Sequence, residues 1–176
     1  MKESSVFNVL RVLGFAAWTS TFAFPVTAGE VSEVSAVPAP ELKLVDLGGA
    51  SPQLGDYRGR VVLINFWASW CTPCLKEMPS LQRLAKSLES KPFALLTINM
   101  GESPAAASRA LKLMKAELPV LLDRNGDVYR QWGAKLLPTS FVLDKQGEIR
   151  YRILGDMEWD ADAEVEEILQ ALLRED

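Results

Sequence analysis

Val61-Val62-Leu63-Ile64-Asn65-Phe66-Trp67-Ala68-Ser69-Trp70-Cys71-Thr72-Pro73-Cys74 is the stretch on which the fold turns. From Val61 to Trp67 apolar residues fill both alternating faces, the pattern of a strand covered on both sides rather than one facing water. Two cysteines follow, two residues apart, where a helix reads as starting. In an open α/β sheet sites form at the carboxyl ends of strands, because the strand stops there and the next helix presents unpaired N–H groups. The pair therefore sits where chemistry is expected.

The chain has 176 residues, 48% of them hydrophobic, which suits one domain able to bury its own core. Its formal charge is −4 and its pI about 5.0, with no basic run, so a nucleic-acid partner has no electrostatic footprint. Histidine is absent and the two cysteines are the only ones. That removes a Cys/His zinc site, a C-x-x-C-H haem attachment and a Cys/His nucleophile pair. No cofactor and no resident metal are expected.

Residues 1–28 read as an export signal: Lys2 and Arg11 precede a mostly apolar run of 13 residues from Val12 to Phe24, and small residues lead to Ala28. Such a run is short for a membrane span, which takes about 20 residues, and ordinary for a signal core. Cleavage after Ala28 is expected, with an uncleaved anchor or a buried helix as alternatives. Residues 29–40 hold Pro38 and Pro40 and show no period, so they read as a linker, and the domain is expected to span 41–176.

Downstream, an edge strand around Leu42 and Leu44 is expected to pair with a short one near Gln53-Leu54. A helix from about Thr72 to Ser90 follows, kinked at Pro79. Phe93–Asn99 and Val120–Leu122 read as strands. Between them a helix runs from a Ser103 cap towards Leu118. Asp127–Trp132 makes a short helix closed by Gly133. Thr139–Leu143 and Glu148–Ile153 form a hairpin, and a last helix is capped at Asp160.

A Cys-x-x-Cys pair at a helix start suits thiol–disulfide exchange. The helix N-terminus favours the thiolate of Cys71, the reactive form, and Cys74 lies one turn in, beneath it. Cys71 can attack a foreign disulfide to form a mixed disulfide, which Cys74 then resolves. A structural disulfide closing so small a loop would stabilise little. A Cu(I) carrier built on two thiolates, with Met78 and Met100 as thioether helpers, is the alternative from another class. Glu77 lies within about 40° of Leu81, Leu84 and Leu88 on the helix and about 60° from Cys74. An acid is thus placed on the apolar stripe near the resolving thiol, where burial would raise its pKa and let it exchange a proton with Cys74.

Trp70-Cys71-Thr72-Pro73-Cys74, the preceding Asn65-Phe66-Trp67-Ala68-Ser69 and the later Leu137-Pro138-Thr139-Ser140-Phe141 resemble the thioredoxin superfamily, and more narrowly its TlpA/ResA-like branch of exported thiol:disulfide oxidoreductases. The resemblance spans roughly Leu42 to the C-terminus. It implies a thioredoxin-like α/β fold: a mixed central sheet of four or five strands flanked by helices, an N-terminal β-hairpin, and a helix-strand insert at Ser103–Leu122. Catalytic roles for Cys71, Cys74 and Glu77 follow from it, as do substrate contacts at Trp70, Pro73, Leu137, Pro138 and Thr139. Pro138 matches the family's cis-proline, which lets the backbone of Leu137 pair with a substrate strand. Asn65 stands where cytoplasmic thioredoxins keep a buried aspartate, and Glu77 matches the glutamate that follows the second cysteine in ResA-like proteins. The implied partners are protein disulfides or dithiols and a membrane electron donor. The implied place is the periplasm, and the expected direction is reduction, with a dithiol oxidase as the rival. The Pro-Glu-Thr signature of the cytochrome-c-maturation relatives is replaced here by Pro138-Thr139-Ser140.

Overall fold

The structure, a computed structural model, describes residues 29–175. The expected export signal lies outside the described residues. Along the chain run β1 (Glu30–Pro38), β2 (Val45–Asp46), a 3-10 turn (Leu54–Tyr57), β3 (Val61–Trp67), α1 (Thr72–Ser87), β4 (Phe93–Met100), α2 (Pro104–Met114), β5 (Val120–Asp123), α3 (Asp127–Gln131), β6 (Thr139–Leu143), β7 (Glu148–Leu154) and α4 (Ala163–Arg174). The strands make one mixed sheet, ordered β1-β7-β6-β3-β4-β5-β2. Strand β3 is central and buried along its whole length. It runs parallel to β4 and antiparallel to β6.

Its alternation divides the core. Val61, Leu63 and Trp67 face α1, α2 and α4 across one layer, with Met78, Leu81, Leu169 and Leu172 packed against them. Val62, Ile64 and Phe66 point the other way, onto Leu42, Leu44, Val128 and Trp132. Phe66 meets Tyr129 and Phe141 edge-on, at centroid distances of 5.8 and 6.1 Å. Layers on both sides explain why β3 carries no polar face.

The two N-terminal strands depart from the sequence reading. Glu30–Pro38 is strand β1 on the edge of β7, with Glu30 opposite Leu154 and Pro38 opposite Glu148, and not a tether. Strand β2 pairs with β5 at the far edge, so no N-terminal hairpin forms, and Gln53-Leu54 leads into the 3-10 turn instead. These two additions bring the sheet to seven strands. The helix-strand insert is present as α2 and β5. Ser103 caps α2 by accepting a hydrogen bond from the Ala106 N–H, but the helix stops at Met114, where Lys115 turns left-handed at φ 53°, four residues short of Leu118. Helix α1 continues through Pro79 and ends at Ser87. The last helix is capped by Asp162, which accepts from the Val165 N–H, while Asp160 takes Arg83 at 2.5 Å. Of two aspartates two residues apart, the arginine on α1 claims one and leaves the other to cap.

Candidate active site

Strand β3 ends at Trp67, and Ala68-Ser69-Trp70 carries the chain to Cys71, the N-cap of α1. Cys71 Sγ accepts from the Cys74 N–H at 3.3 Å, and the two sulfurs are joined in a disulfide. Pro73 lies in the first turn, where its missing N–H costs no helical bond. Cys74 is fully buried, whereas Cys71 keeps 5% of its surface exposed. The outer sulfur is thus the one a partner can reach. Trp70, beside it, is 66% exposed.

Pro138 lies next to this end of β3, because Phe66 pairs with Thr139 in the β3–β6 register. The Leu137-Pro138 peptide is cis. Among the described residues no hydrogen bond takes up the backbone N–H or C=O of Leu137. Thr139 is fully buried and its hydroxyl donates to the Leu136 carbonyl at 2.7 Å, so its side chain shapes the loop instead of facing a partner.

Glu77 is 1% exposed and therefore no surface glutamate. Asn65 Nδ2 donates to its Oε1 at 2.7 Å; the Met157 N–H and Trp159 Nε1 donate to its Oε2 at 3.1 and 2.9 Å. Burial pushes the carboxyl up to about 7, against the pull of these three donors, and Asp156 adds to the rise. Helical spacing sets Glu77 on the same side of α1 as Cys74. Asn65 Nδ2 also donates to Ser140 Oγ at 2.9 Å, while Asn65 Oδ1 is buried with no partner among the described residues.

Two further sets of contacts were invisible in the sequence. Met157 and Trp159 belong to the β7–α4 loop, 80 and 82 positions from Glu77, and no local pattern announces that loop's return to α1. Glu102, just past β4, accepts from the Ser69 N–H at 2.6 Å, from the Ser69 hydroxyl and from Asn99 Nδ2 at 2.8 Å. It pins the turn that delivers Cys71. The candidate thioethers do not converge: Met78 is buried in the layer beneath α1, whereas the Met100 sulfur lies beside Gly126, near α3. Among the described residues no group of three or more His, Cys, Asp or Glu side chains is placed to hold a metal.

The family model described as Redoxin matches residues 33–172. The chain belongs to the redoxin family. Within that family it is 32% identical over 157 residues to the thiol-disulfide oxidoreductase ResA of Geobacillus kaustophilus, covering 89% of this chain and 87% of the relative. It is 31% identical to ResA of Bacillus subtilis over 149 residues, covering 85% and 80%. A crystal structure from Chlorobium tepidum, titled for the thiol:disulfide interchange protein DsbE, superposes with a TM-score of 0.72 at 32% identity, over 80% of this chain and 99% of that one. The redoxin described here is accordingly a thiol-disulfide oxidoreductase of thioredoxin-like fold, and Cys71-Thr72-Pro73-Cys74 is its Cys-x-x-Cys pair.

Proposed function

We propose that the protein is an exported reductase of protein disulfides, working in the periplasm and recharged by a dithiol protein of the membrane. The observation that carries this reading is the buried Glu77 carboxyl on the Cys74 side of α1, poised near neutrality. In the reduced protein the Cys71 thiolate attacks one sulfur of a substrate disulfide. That bond breaks, a Cys71–substrate disulfide forms, and the departing substrate thiolate takes up a proton. Cys74 must then lose its own proton to attack Cys71 Sγ. Glu77 accepts that proton and returns it to the second substrate thiolate, which leaves as the internal disulfide closes. Two electrons pass from the protein to the substrate, and an incoming dithiol restores them. Leu137, with its uncommitted backbone beside Pro138, pairs with the extended substrate, while Trp70 and Pro73 border the attacking sulfur.

Direction is the finer part of the proposal, because a helix N-terminus that steadies the Cys71 thiolate also favours the reduced form, as an oxidase needs. The reduction potential decides. A value near that of thioredoxin, roughly −270 mV, is expected; a value near roughly −120 mV, as for a strong periplasmic oxidant, would overturn the reductase reading. Export has its own check. N-terminal sequencing of protein recovered outside the cytoplasm should begin near Gly29, and a form that keeps Met1 and pellets with membranes would establish an anchor instead.

A further inference from the structure

Leu113 on α2 is 80% exposed, and Trp70, beside Cys71, is 66% exposed. Between α1 and α2 runs a cleft of about 200 Å³. Ser69 and Leu75, which bracket the cysteines, form one wall, and Ala106, Ala110, Leu113 and Met114 form the other. Arg109 stands on the rim, one helical turn before Leu113 and so on the same face of α2.

The electrostatics of this helix differ from those of the whole chain. Arg109, Lys112 and Lys115 all lie on α2 or its cap, with no acid between Ser103 and Ala116, whereas the chain's formal charge is −4. Among the described residues none of the three cations is in an ion pair. The acids flanking the helix are Glu102, committed to Ser69 and Asn99, and Glu117 beyond its end. Of the three cations only Arg109 lines the cleft, whereas Lys112 and Lys115 line a separate hollow with Glu117. An apolar cleft whose one charged residue is an unpaired arginine, with Ser69 and Leu75 from either side of the cysteines in its lining, complements an acidic residue and repels a basic one.

We propose that this cleft is a substrate subsite: it receives an apolar side chain next to the cysteine of a partner protein, with an adjacent acidic residue held over Arg109. The proposal rests on the reductase reading above and specifies which disulfides are served first. Apolar burial supplies the contact, and Arg109 supplies discrimination and a faster encounter.

The test uses the reduced protein and short peptides whose single cysteine is joined by a disulfide to 2-mercaptoethanol, with the sequences Glu-Leu-Cys, Lys-Leu-Cys or Glu-Ser-Cys at the centre. Each turnover converts protein dithiol and peptide disulfide into protein disulfide, free peptide thiol and 2-mercaptoethanol. At 50 mM salt the Glu-Leu peptide should react about tenfold faster than the Lys-Leu peptide, and the ratio should shrink towards one at 500 mM. The Glu-Leu peptide should also outrun the Glu-Ser peptide about threefold. In Arg109→Glu the charge preference should invert; in Leu113→Ser the preference for leucine should fall. If the wild-type protein reduces neutral bis(2-hydroxyethyl) disulfide but handles the three peptides within twofold of one another, the subsite is wrong while the reductase stands. If it reduces neither the neutral disulfide nor any peptide, the reductase reading fails and the subsite falls with it.

Discussion

Replacing Cys74 by serine is expected to leave the protein covalently joined to its substrate through Cys71, and replacing Cys71 is expected to abolish turnover. The asymmetry follows from depth. Cys71 keeps exposed surface at the N-cap of α1, whereas Cys74 is sealed beneath it. With Cys74→Ser the first exchange still proceeds, but no internal thiolate follows, so a mixed disulfide accumulates. With Cys71→Ser the remaining thiol cannot reach a protein disulfide. Turnover should fall by about three orders of magnitude or more, the scale on which loss of a nucleophile acts. Non-reducing electrophoresis and mass spectrometry read the trapped species directly. Trapping by Cys71→Ser instead of Cys74→Ser would reverse the assigned roles.

Glu77→Gln should slow disulfide reduction and remove the inflection near pH 7 from its pH profile, because an amide cannot take the proton of Cys74. The same change reports on stability. The folded carboxyl titrates at about 7 and an ordinary glutamate at 4.5, so the native state holds a proton that the unfolded chain has released between those values. Stability present below about pH 4.5 is therefore lost as pH rises through about 7, by up to about 3 kcal/mol if the whole shift is realised. In Glu77→Gln that loss should vanish, which denaturant titrations of the disulfide form at pH 5 and pH 8 would measure. The glutamine can be housed: its carbonyl takes the place of Oε2 before Met157 and Trp159. Its amide then faces Asn65, whose unpartnered Oδ1 becomes an acceptor once the carboxamide turns over. An unchanged rate from pH 5 to 9 would dismiss the proton relay, and an unchanged pH dependence of stability would dismiss the raised carboxyl.

The central features of this fold were legible because they are written locally. Val61–Trp67 is apolar on both faces and must be central; Asp144-Lys145-Gln146-Gly147 between two alternating runs must be a hairpin; the Met78, Leu81, Leu84 spacing fixes the buried side of α1 and therefore places Glu77 inward. Strand β1 was not legible. Glu30–Pro38 has mixed polarity and a largely exposed surface, and it becomes a strand only because β7 offers an open edge more than a hundred residues later. The environment of Glu77 was half legible for the same reason. Helical geometry points the carboxyl inward, but the donors that meet it come from the Met157–Trp159 loop and from Asn65 on β3, whose positions are set by the tertiary fold alone.

Strand β1 also fixes where the chain enters the domain. Glu30 pairs with Leu154, and Leu154 pairs with Thr139 beside Pro138. The Gly29 N–H, in turn, donates to the Asp156 carbonyl, one residue before Met157. Whatever segment precedes Gly29 therefore leaves from the same end of the sheet as the Cys71–Cys74 disulfide, and not from the opposite end, where the strand finishes at Pro38. Were the chain to stay anchored instead of being cut, its leash would be rooted at Gly29, on the rim that carries the reactive disulfide.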